Sequence, residues 1–74
     1  MLLIEGLNWQ RTHHVREDHG SECVRYNCVE HPRVFMLMQR TDPLAPWVES
    51  FHVERLANHW HSAPEAIAVA RANP

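Results

Sequence analysis

The chain has 74 residues, 45% of them hydrophobic, and a formal net charge of −2. That length makes a single domain, residues 1–74, whose folding hides only about 60% of the unfolded surface. The apolar share excludes a disordered chain, and the charge gives no general attraction to nucleic acid or to an anionic membrane.

Met1–Ile4 is a short apolar run, broken at Gly6. It is too short for the core of a signal peptide, and no later run is long enough to span a membrane. The chain therefore reads as cytoplasmic, in a reducing compartment. The first strand is expected to carry on through Asn8–Arg16, with a bulge near Gly6. Trp9, His13 and Val15 have the same parity along it, with Arg11 between them. Residues 17–21 then make a turn in which Gly20 is free to take a positive φ.

Glu22–Val29 alternates cleanly. Val24, Tyr26 and Cys28 fall on one face, Cys23, Arg25 and Asn27 on the other, which is the pattern of a half-buried antiparallel strand. Pro32 closes the next turn. Arg33–Arg40 follows, five large apolar residues in a row between two arginines. Val34, Met36 and Met38 point one way, Phe35 and Leu37 the other. Apolar on both faces, this segment reads as the central strand of a meander.

Two prolines stiffen the loop 41–46. Trp47–Phe51 fits either a fourth strand or the start of a helix. Val53, Leu56, Ala57 and Trp60 stand at i, i+3, i+4 and i+7, one stripe of a short helix. Ser62, Pro64 and Glu65 form the strongest local signal: an N-cap, a proline tolerated in the first turn, and a glutamate completing a capping box. An alanine-rich helix continues to the C-terminus. The expected fold is α+β: an antiparallel meander of three or four strands, then a short helix and a C-terminal helix packed on one face.

Seven histidines and two cysteines raise the question of zinc. Cys23 and Cys28 are five apart, so in a regular strand they face opposite sides and lie roughly 16 Å apart. They share neither a metal nor a disulfide in that geometry. His13 and His14 face opposite sides for the same reason. His59 and His61 are split around a helix but aligned in an extended segment. No pair has the familiar zinc spacing, and no metal or cofactor is expected. Cys28 shares the parity of the core residues and reads as a small buried hydrophobe, not as a nucleophile.

All seven cationic side chains are arginine. Coding bias accounts for that, and a surface for bidentate contacts to carboxylate or phosphate is the alternative. The leading expectation is a small non-enzymatic binding or regulatory module that works through protein contacts, as a homo-oligomer, most simply a dimer, or with another protein. Its interface candidates are Phe35, Leu37, Trp47 and Trp9. A nucleic-acid or anion binder using arginine and tryptophan is the second reading, and a metal-dependent or Cys/His enzyme the third.

Overall fold

The computed structural model describes all residues, 1–74. Five strands form one antiparallel sheet in sequence order: β1 (Leu2–Ile4), β2 (Leu7–Arg16), β3 (Glu22–Cys28), β4 (Val34–Arg40) and β5 (Val48–Val53). A single helix, α1 (Ala63–Ala72), follows and packs against β4 and β5. The outline is α+β, but the expected three or four strands and two helices are corrected to five strands and one helix.

The first correction lies at the N-terminus. Met1–Arg16 is not one strand but a tight hairpin, with Ile4 paired to Leu7 across Glu5 and Gly6. Both turn residues have positive φ, 53° and 76°. This is the sense of turn that matches the twist of two antiparallel strands. The bulge falls at Thr12, between Arg11 and His13, not near Gly6. Its effect is to flip the parity of the rest of β2. Trp9 and Arg11 stay on the helix side, while His13 and Val15 move to the opposite face and His14 and Arg16 take their place.

The second correction is the short helix at residues 53–60. Val53 is held in β5 opposite Val34, and Arg55 turns the chain with φ 71°. Trp60 then pairs back on Phe51 through two backbone hydrogen bonds of 2.9 and 2.7 Å. Long-range pairing thus satisfies the backbone groups a helix would have used. Leu56 and Trp60 still pack on the core, so the stripe is a set of core contacts without being helical.

The core lies between the sheet and α1. Trp9, Cys28, Val34, Met36, Phe51 and Val53 meet Ala63, Ala66 and Ile67 of the helix. The alanines let the helix backbone approach closely. Trp9 and Phe51 meet edge to face with centroids 5.8 Å apart, although three strand spacings of a flat sheet measure about 14 Å. The sheet is curled, with large side chains reaching across its concave side.

Helix α1 begins as its sequence predicts. Ser62 Oγ accepts from the Glu65 backbone N–H at 3.3 Å, and Glu65 reaches back to the His61 N–H at 3.4 Å, one residue before the cap. At the other end Arg33 donates to the carbonyls of Ala70 (3.2 Å) and Asn73 (2.5 Å). A cation thus meets the unpaired carbonyls of the last turn. Ser62→Ala is expected to destabilise the fold by about 1 kcal/mol and to lower the melting temperature by roughly 4–8 °C. Thermal unfolding followed by circular dichroism checks this.

Candidate interaction surface on the open face of the sheet

The helix covers one face of the sheet. On the other face stand Cys23, Arg25 and Asn27 of β3, Phe35, Leu37 and Gln39 of β4, and Val48, Ser50 and His52 of β5, as the strand registers require. Phe35 and Leu37 are half-buried at its centre.

Planar groups line up across this face, perpendicular to the strands. The Arg25 guanidinium lies 3.8 Å from the Phe35 ring centroid, a cation–π contact. His52, paired with Phe35 across β4 and β5, stacks on the same ring at 5.0 Å with an interplanar angle of 9°. His59 follows at 6.0 Å from His52, and His61 at 5.9 Å from His59. Because Trp60 faces the core and pairs with Phe51, its neighbours His59 and His61 point the other way, beside His52. The Trp60 bridge sets the two histidines on the same side of this segment.

Ser50 Oγ lies 2.8 Å from His52 Nε2. Burial, then the nearby His59 and Arg25, hold the His52 imidazole below the usual histidine range. Arg25 also contacts Glu54 at 3.4 Å. As the side chains lie, no three of His, Cys, Asp and Glu converge closely enough to hold a metal ion.

The bulge at Thr12 builds a second polar cluster on the helix-side face. Glu22 is buried there and accepts from His14 Nε2 at 2.5 Å, from Arg40 at 2.6 and 3.0 Å, and from Arg16 at 3.4 Å. These hydrogen bonds, that of His14 foremost, then Arg40, hold its carboxyl at about 2. Arg40 in turn lies 4.5 Å over the Trp47 ring and donates to the Pro43 carbonyl at 3.0 Å. The cluster fastens the β4–β5 loop to the sheet.

The four interface candidates therefore separate. Phe35 and Leu37 sit together on the open face. Trp47 is partly exposed but belongs to the Glu22 cluster. Trp9 is fully buried inside the chain. It is removed from the candidates, because the curl of the sheet turns its ring onto Phe51. Cys23 and Cys28 face opposite sides, and both are free thiols. Burial pushes the Cys28 thiol up, the reverse of an activated nucleophile. Sequence reasoning missed the Glu22 cluster and the His52–His59 neighbourhood. Only the aligned spacing of His59 and His61 hinted at either.

No helix is long and apolar enough to cross a membrane. No protein-family model matches the chain, and no similar curated protein or solved structure is found.

Proposed function

We propose that the protein is a small non-enzymatic binding module that works by self-association through the open face of its sheet, centred on Phe35 and Leu37. The observation that carries this reading is one of coverage. Only 11 of 74 residues are buried. The accessible surface is 5095 Å², against about 4,700 Å² expected of a monomer of this mass. One helix covers one face, and the chain has no second layer for the other. A second copy supplies that layer with a surface of the same character, and two-fold dimers are the commonest oligomers.

The nucleic-acid reading has less support. Phe35 is flanked by Arg25 from the β3 side and His52 from the β5 side, which leaves neither ring face for a base. Arg40 is engaged by Glu22, and Arg25 by Glu54. Sedimentation equilibrium tests the self-association. Twice the chain mass at micromolar concentration, falling towards 8.7 kDa on dilution, is the expected result. A single 8.7 kDa species up to high micromolar concentration contradicts it.

A further inference from the structure

We propose that the free edge of β2, Gln10–Arg16, binds an acidic peptide in extended form as a further strand of the sheet.

The edge is open because β1 is short. β1 pairs only with Leu7–Trp9, while β3 pairs with β2 as far as Arg16. From Gln10 onward β2 has a neighbour on one side alone, and all of Gln10–Arg16 is exposed. The Val29 N–H donates to the Asn8 carbonyl, so Asn8 and, by alternation, Gln10 turn their backbone groups to β3. Arg11 turns its own to the free side, where β1 offers no partner. A row of unpaired N–H and C=O groups of this kind is a template for an added strand.

Charge chooses the occupant. Leu7–Arg16 holds Arg11, His13, His14 and Arg16 and no acidic residue. The bulge at Thr12 brings Arg11, His14 and Arg16 onto one face. Arg11 makes no ion pair, and Arg16 meets Glu22 only at 3.4 Å with most of its side chain exposed. A strand with glutamate at every second position sets its carboxylates along that face. A second copy is the wrong occupant, because two β2 edges paired antiparallel set these cations against one another. Beside Arg11 lies a hollow of about 460 Å³, lined by Met1, Leu2, Trp9, Gln10, Arg11 and Tyr26. It gives room for the stem of a glutamate whose carboxylate meets Arg11.

Fluorescence anisotropy with a labelled peptide of alternating glutamate and valine tests the edge. The expected result is saturable binding that weakens as salt is raised. Nuclear magnetic resonance spectra are expected to shift most at Arg11 and its neighbours in β2. The same peptide N-methylated at each glutamate keeps its charge but loses the N–H groups that face β2, and is expected not to bind. Arg11→Glu, at an exposed position without a partner, is expected to weaken binding about tenfold, one exposed ion pair lost and one repulsion of similar size gained.

Absence of saturable binding at high micromolar peptide overturns the proposal. So does equal binding of the N-methylated peptide, which would make the edge a charged patch and nothing more, or a set of shifts centred on Phe35 and Leu37. Phe35→Glu is expected to bind the peptide as wild type does, so strand addition and self-association can each fail without the other.

Discussion

Trp9→Ala is expected to leave a large fraction of the protein unfolded at room temperature. The ring is fully buried, meets Phe51 edge to face, and directs its indole N–H at the Ile4 carbonyl, 3.4 Å away. It therefore joins the β1–β2 hairpin to the far strand of the sheet. Truncating a buried tryptophan to alanine costs about 3–5 kcal/mol. A chain of this length has roughly 4–11 kcal/mol of stability in all, and so thin a core favours the low end. Trp9→Phe, which keeps an aromatic ring against Phe51, is expected to fall between the two. Near-ultraviolet circular dichroism and urea unfolding at fixed protein concentration check the series. A Trp9→Ala variant melting within a few degrees of wild type would show that the ring does not organise the core.

The second large effect is expected at Glu22, and its signature is a dependence on pH. The carboxyl has an ordinary value of 4.5 and is held at about 2 in the folded chain. The folded state therefore binds fewer protons than the unfolded state between those values. The stabilisation is fully present above about 4.5 and declines as pH falls towards about 2. Glu22→Gln keeps the shape but removes the charge that His14, Arg16 and Arg40 share. Its melting temperature should lie well below wild type at pH 7, and the two curves should converge near the acid end of that window. A constant gap between them at all pH values would mean that the charge is not what fastens the loop.

The parts of the fold legible in the sequence were those set by neighbours along the chain. The alternation of β3, the two apolar faces of β4 and the cap at Ser62 depend on residues within one strand or one turn. The remainder depends on distant pairing. Glu5 adopts a positive φ only because Gly6 and the β1–β2 register require it, and Glu-Gly is not among the usual hairpin signals.

The bulge at Thr12 has no mark in the sequence, yet it decides which side chains of β2 meet Glu22. The apolar stripe from Val53 to Trp60 fits a helix as well as the extended return that forms, and the choice is made by pairing with Phe51 and Val34. The same return creates the histidine neighbourhood. His52 and His59 are seven residues apart in the chain and become cross-strand neighbours only when that segment folds back.

The open face is the part of the candidate site that periodicity did reveal. Parity alone separated Phe35 and Leu37 from Val34, Met36 and Met38. It did not foresee that Arg25 and His52 would flank Phe35, which turns an apolar patch into a ring sandwiched between two polar groups. Trp9 was misplaced because its contacts follow from the curl of the sheet, and curl is a property of all five strands together.

Light scattering on wild type and Phe35→Glu reads self-association at the centre of the open face. Phe35 is half-buried on the open face and makes no part of the core beneath the helix, so the variant is expected to keep its far-ultraviolet dichroism. The wild type is expected at twice the chain mass, and Phe35→Glu folded at single chain mass, at the same micromolar concentration. A wild type of single mass, or a Phe35→Glu variant as fully dimeric as wild type, would contradict it.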